Sequence, residues 1–394
     1  MIQWRAGVVE SERNRWSGAI EYAVRLSEID STVRALAYPE LVGEPAVGDR
    51  VLLNVSALER GLGTGGLALV VAIPDRLPAD SPVGPGHIVK ARYTPTQSML
   101  LGVDEQESPH HELLRDADSI DGMPVVVADL HSAVPAIIAG LRAGPADRAE
   151  PAGRVGEPPG SSRIETKVPR VAYVMSDGGA LPIAFSRTVA GLREAEWLVG
   201  SVTVGQAFGG DLEAVNVHTG LLAARHVLQA DVVVLSQGPG NLGTGTRWGF
   251  SGVAAGEAVN AAATLGGRAV ASLRVSEADP RERHRGISHH SRTAYGRVAL
   301  SPADVPVPTL DGELGALIDR QATELIEQAG GRLTRHDIRI DGLRDALVAS
   351  PVRLRTMGRD LDADEASFLA AAAAGRYTAM VLARSSTERA DSGS

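Results

Sequence analysis

Between Gln3 and Ile73 apolar and polar positions alternate in short β-branched runs: Ala6 to Glu10, Ala19 to Ser27, Thr32 to Tyr38, Arg50 to Val55 and Leu67 to Ile73. Turn residues separate them at Ser17-Gly18, Val42-Gly43, Val47-Gly48-Asp49 and Gly61 to Gly66. A period of two with this spacing predicts a small closed or nearly closed β-barrel over residues 1–75. The glycines at 61–66 read as a strand connection, because no helix follows to offer its N-terminal amides to a phosphate. Residues 76–122 form a connecting β/α segment. There Gly86 to Tyr93 alternates as a strand, Ser98 to Val103 can pair with it, and Pro109 to Asp118 reads as a short helix.

From Met123 the period changes. Apolar runs suited to burial on both faces (Met123 to Ala128, Arg170 to Met175, Leu198 to Val204, Asp231 to Leu235, Arg268 to Val275) alternate with helical stretches (Ala133 to Arg142, Leu181 to Glu194, Leu212 to Gln229, Gly252 to Leu265). This is the signature of a mostly parallel sheet with helices on both sides, a Rossmann-like three-layer α/β domain over 123–382. Further helices over Ser288 to Gly296, Glu313 to Ala329, Gly342 to Ser350 and Ala363 to Ala374, with a strand over Arg332 to Ile340, extend the same layers. Residues 144–169, rich in Pro and Gly, read as a flexible insertion, and 383–394 as a disordered polar tail.

Composition narrows the chemistry. Cysteine is absent from the 394 residues, and Lys90 and Lys167 are the only lysines, so thiolate and Schiff-base chemistry have little or nowhere to reside. Anion recognition then falls to Arg. The balance of 39 basic against 48 acidic residues, net −9, argues against a general nucleic-acid or membrane-surface binder. No apolar leader opens the chain and no run reaches about 18 apolar residues. The expected setting is cytoplasmic, without a membrane, and a homo-oligomer is compatible with it.

Parallel strands place their C-terminal loops on one edge, and here those loops concentrate small, acidic and imidazole residues. They are Asp129-Leu130-His131-Ser132, Ser176-Asp177-Gly178-Gly179, Gly205 to Glu213, Ser236 to Gly249, and the stretch from Ser276 to Arg292. In the fourth, Gly238-x-Gly240-x-x-Gly243 follows a strand and precedes a helix, as a dinucleotide fingerprint does. The match stops there: Pro239 lacks an amide, and the next strand ends near Glu277 or Asp279, too far for the usual ribose-binding acid. Two readings stay open, a structural turn or an anion site formed by Gly238, Gly240, Gly243, Thr244 and Thr246. Asp211 and Glu213 suit the N-cap and first turn of a helix over 212–229. Set beside Asp177 and Asp129 on neighbouring strand ends, they could instead hold Mg²⁺ or Mn²⁺, which take carboxylate oxygens. His218 borders the apolar stripe of that helix and reads as a core-edge residue. Arg281, Arg283 and Arg285 form a candidate anion clamp. His131, His289 and His290 are candidate general acids or bases, the latter two also metal ligands.

Several of these stretches carry a resemblance: Gly-His-Ile-Val-Lys-Ala-Arg-Tyr-Thr-Pro at 86–95, Asp-Leu-His-Ser at 129–132, Gly-Gly-Asp-Leu-Glu-Ala-Val-Asn at 209–216, Gly-Pro-Gly-Asn-Leu-Gly-Thr-Gly-Thr at 238–246 and His-Arg-Gly-Ile-Ser-His-His at 284–290. Over roughly residues 1–350 the chain resembles the DUF3866 family, a bacterial family of unknown function, which brings no activity or catalytic residue to transfer. The residues themselves lead to an enzyme acting on a small anionic, phosphorylated or nucleotide-like metabolite at the strand-end edge. The alternative is a non-catalytic ligand-binding or assembly protein that uses the barrel for contacts. A further alternative, RNA binding by Lys90, Arg92 and Tyr93, conflicts with the net charge.

Overall fold

The computed structural model describes residues 2–62, 65–80, 84–145 and 168–392, with side chains as far as Arg384. Most of the expected insertion lies outside the described residues. Strands Trp4–Trp16, Ala19–Leu26, Thr32–Ala37, Arg50–Asn54 and Ala68–Ala72 close into a barrel in which the fifth strand lies between the third and fourth. Their alternate residues, among them Ile20, Tyr22, Val24, Leu53 and Val70, fill its interior. The first strand runs longer than the pattern suggests because register shifts at Val9/Ser11 and Glu12/Asn14 bend it around the barrel.

The α/β domain is built on eight strands in the spatial order Leu212–Glu213, Gly200–Thr203, Val171–Ser176, Val232–Gln237, Pro124–Ala128, Arg268–Ala271, Ala303–Thr309 and Leu333–Arg339. All neighbours are parallel. The central strand buries Val125 and Val127 on one face and Val126 and Ala128 on the other, as a doubly covered sheet requires. Helices Val134–Ala143, Arg187–Glu194 and Glu365–Ser392 cover one face; Val217–His226, Ala254–Thr264 and Gly312–Gln328 cover the other.

Three local expectations change, and one strand appears that the pattern did not suggest. The stretch Ala303–Thr309 is a strand although it contains Pro306 and Pro308. These prolines share one parity, so the amides they lack fall on one side. The ladder toward Arg268–Ala271 is correspondingly reduced to Val270 and Asp304, while the other side pairs along all its length. The helix expected from Leu212 begins at Val217 instead. Leu212–Glu213 forms an edge strand, and Asn216, not Asp211, caps the helix by accepting the Thr219 amide at 3.0 Å. His218 is exposed on it. The last helix continues to Ser392, through the segment whose polar composition suggested a disordered tail.

That helix crosses Val134–Ala143 closely, because Gly140 lies against the Ala372 carbonyl and Gly375 against that of Ile137, with no room for a Cβ at either. Its Glu365–Arg384 portion is long and apolar enough to cross a membrane, contrary to the expectation that no run is, and 78% of that window is buried within the fold. Small residues buried against a neighbouring helix explain the composition.

Barrel and α/β domain meet at the loop before helix Arg187–Glu194. The Trp16 indole N–H donates to the Ala184 carbonyl at 2.7 Å, and the Arg187 guanidinium lies 4.1 Å over the Trp16 ring. Buried Glu21 pairs with Arg187 and, at 2.6 Å, with Arg34.

Candidate functional site

At the C-terminal end of the sheet, strand Pro124–Ala128 sends its helix to one face while its neighbour Val232–Gln237 sends the next helix to the other. Diverging connections leave a crevice at such a switch point, where parallel sheets ordinarily bind ligands. Three segments wall it: 129–133, 237–253, and the stretch 274–290. The last of these is folded back by antiparallel pairing of Val275–Ser276 with Gly286–Ile287. Backbones approach closely here. A Cβ at Gly252 would stand 2.9 Å from that of Asp129, and the Ala180 amide donates to the Pro239 carbonyl at 2.7 Å.

His284, His289 and His290 converge in this crevice. One nitrogen from each ring lies within 4.8 Å of the others, the one such group of His, Asp or Glu side chains among the described residues. Ser288 organises them: its Oγ is 2.8 Å from His284 Nδ1 and accepts the His290 backbone amide at 3.2 Å. The His290 ring stacks on Phe250 at 3.8 Å between centroids, nearly parallel. Behind it sit the buried Arg274 and Asp129: an Arg274 N–H meets His290 Nδ1 at 3.0 Å, and Asp129 Oδ2 lies 3.6 Å from that nitrogen and 3.7 Å from the guanidinium. Burial pushes His284 down to about 3, helped by Arg274 and Arg281. Burial also lowers His289 to about 4, with His290 and Arg283 contributing. Both imidazoles are therefore neutral at pH 7, able to accept a proton or donate a lone pair.

The remaining candidates are distributed differently. His131 sits against the opposite face, with Nδ1 2.9 Å from the Tyr173 hydroxyl and Nε2 2.7 Å from Ser186 Oγ; burial lowers it to about 4. Both of its nitrogens are occupied. Of the carboxylates expected to share a divalent ion, Asp177, Asp211 and Glu213 do not converge, because each is claimed by its own donors. Asp177 accepts the Gln206 amide at 2.8 Å. Asp211 pairs with Arg193 and accepts the Ser201 amide and hydroxyl at 2.7 and 2.8 Å, lining a cavity of about 250 Å³ at the barrel junction. Glu213 is buried, takes the Thr203 hydroxyl and Gly209 amide at 2.7 Å each, and faces the Lys90 ammonium at 3.5 Å. Burial raises the carboxyl and lowers the ammonium, and Lys90 donates as well to the Ala207 and Ala214 carbonyls. That buried cation fastens the connecting segment to the sheet edge and is not available to a polynucleotide.

Within the glycine-rich loop the Gly238 amide is already spent on the Ser176 carbonyl, and Gly240 is exposed at φ +93°. Gly243 bridges to Phe250, the Thr244 amide donates to Gly249, and the Thr244 and Thr246 hydroxyls bond each other at 3.1 Å. The loop is thus an exposed, self-bonded hairpin at the crevice mouth. The three arginines diverge. Arg281 is held two-pronged by Asp279 at 2.7 and 2.8 Å, Arg283 is exposed beside Gly245, and Arg285 turns toward helix Gly312–Gln328.

Arg274 and Phe250 were not singled out by pattern, and Asp129 only as a candidate ligand for a divalent ion. Arg274 had a readable signal, as the one charge inside the apolar run 269–275. Just beyond the trio, residues 294–298 wind as a π-helix, a distortion frequent at functional sites, and the Tyr295 hydroxyl donates to the Val127 carbonyl at 2.8 Å.

Barrel, doubly covered parallel sheet and switch-point crevice define a mixed α/β protein of Rossmann-like architecture. The chain belongs to the DUF3866 family, described as a protein of unknown function, whose model matches residues 34–375. No curated protein shows significant similarity to it.

Proposed function

We propose that this chain is an enzyme whose ligand, a small anionic, phosphorylated or nucleotide-like metabolite, enters the crevice between 129–133, 237–253 and 274–290. The observation that carries this reading is where unpaired polarity is buried. Five buried side-chain atoms lack a hydrogen-bond partner among the described residues, and three of them, Asp129 Oδ2, Gln237 Oε1 and His289 Nε2, belong to these walls. Leaving such atoms unmade costs about 1–3 kcal/mol each, so their concentration at a switch point favours a ligand, ion or water that completes them.

In this reading Arg283 meets the anion at the mouth beside the glycine-rich hairpin, and half-buried, neutral His289 offers the lone pair of its unpartnered Nε2 to a proton or ion there. Arg274 and Asp129 hold His290 in place behind it. Calorimetric titration with inorganic phosphate, nucleotides and dicarboxylates tests the proposal. One class is expected to bind, and Arg283→Ala to weaken it at least about tenfold, the effect of one charge-assisted bond. Silence across the panel would remove the reading and leave the alternative of an assembly protein working through its barrel.

A further inference from the structure

We propose that His284, His289 and His290 hold one transition-metal ion of the zinc class, with a fourth position open toward Arg283. The proposal names a cofactor for the crevice and rests on the ligand reading above only for what occupies the open position. Three ring nitrogens already lie within 4.8 Å of one another. Zinc-bound nitrogens stand about 2.1 Å from their ion, so a small inward turn of each ring suffices. Three protein ligands plus one free position is the arrangement of catalytic rather than structural zinc sites.

The surroundings supply what metal-binding histidines need on their far side. His284 Nδ1 has Ser288 Oγ at 2.8 Å, leaving Nε2 for the ion. His289 Nε2 is buried without a partner. In His290, Nδ1 must carry the ring proton if Nε2 is to bind, and the unpartnered Asp129 Oδ2 lies 3.6 Å away to receive that N–H. The proton leaves Nε2 and one returns to Nδ1, so the ring stays neutral, and Arg274 transfers its hydrogen bond to the same carboxylate, 3.7 Å away. A carboxylate behind a ligating imidazole is the usual support of such sites. Phe250, stacked at 3.8 Å, fixes the ring plane.

An all-imidazole donor set selects zinc, cobalt, nickel, copper or iron over Mg²⁺, which takes oxygen ligands. Arg281 is neutralised by Asp279, and Arg274 faces Asp129. Exposed Arg283 is then the cation left to balance an anion at the open position.

The test uses the untagged full chain, stripped with chelator and titrated with Zn²⁺ and, for its visible absorption, Co²⁺. One equivalent of each is expected, the Co²⁺ spectrum showing nitrogen coordination and an excess of Mg²⁺ failing to displace it. His289→Gln, at a half-buried position that spares the fold, is expected to lose about 100-fold or more in affinity. Asp129→Asn loses about 10–100-fold, the usual cost of removing such a support, and His131→Ala loses nothing. Absence of one-equivalent binding to the wild type, or equal affinity in His289→Gln, overturns the proposal. Zinc bound with no response to inorganic phosphate, nucleotides or dicarboxylates supports the metal site and removes the anion reading. Phosphate bound by a chain that takes up no zinc does the reverse.

Discussion

Replacing His131 with Ala separates a structural histidine from a catalytic one. The wild-type ring is buried and bonded at both nitrogens, to Tyr173 and Ser186. Tyr173 keeps Ser236 Oγ at 3.2 Å, and Ser186 still caps its helix by accepting the Val189 amide at 3.0 Å. The loss is therefore mainly the cavity and two neutral hydrogen bonds, about 2–4 kcal/mol at pH 7.5. A pH signature accompanies it. The folded ring titrates at about 4 and the unfolded one near 6.5, so between these values the unfolded chain binds the extra proton and stability falls as the pH is lowered. That contribution is complete above pH 6.5, has lost about 2 kcal/mol by pH 5, and levels off at about 3 kcal/mol below pH 4. The variant lacks it. Urea melts of both proteins at pH 7.5 and pH 5 should show the gap between them narrowing by about 2 kcal/mol. A gap unchanged with pH would refute the buried, neutral ring, and an unaltered fold stability with lost ligand binding would show that His131 serves the chemistry and not the core.

Three other outcomes follow from the same structure. Gly140→Ala puts a methyl group against the Ala372 carbonyl at the crossing of two buried helices, and should lower the urea midpoint by the equivalent of about 1–3 kcal/mol. Glu21, whose carboxyl Arg34 and Arg187 hold down at about 2 against its burial, stabilises the barrel junction at neutral pH. That stabilisation is lost as pH falls from about 4.5 toward 2, and Glu21→Gln should melt earlier at pH 7 while converging with the wild type at pH 2. Asn216→Ala removes the N-cap of Val217–His226 and should cost about 1 kcal/mol by chemical denaturation, whereas Asp211→Ala should leave that helix intact in its backbone amide exchange.

The barrel and the parallel sheet were legible because each has one period: two in Ala19–Leu26, and unbroken apolar runs in Val171–Ser176 and Val232–Gln237. Ala303–Thr309 was not, since Pro306 and Pro308 argue against a strand until one knows that its sparse ladder lies on their side. The misplaced start of Val217–His226 has a similar cause. Asp211 and Asn216 are both good capping residues, and the choice between them is made by Thr203, which holds Glu213 on the sheet edge. Local pattern gathered these loops at one edge, yet it could not tell which of their side chains neighbours already claim. Carboxylates 177, 211 and 213 looked free in sequence and are each claimed by a nearby donor, while the histidines at 284, 289 and 290 are joined by a hairpin that no local periodicity encodes.

The central claim is that ligand chemistry takes place beside the three histidines. Side-chain nitrogen NMR of the histidine-labelled chain tests it most directly, because it reads each ring separately. With a phosphate, nucleotide or dicarboxylate that binds, the resonances of His284, His289 and His290 should shift together while those of His131 stay in place. A bound ligand that moves His131, or that leaves all three crevice rings unperturbed, would contradict the account.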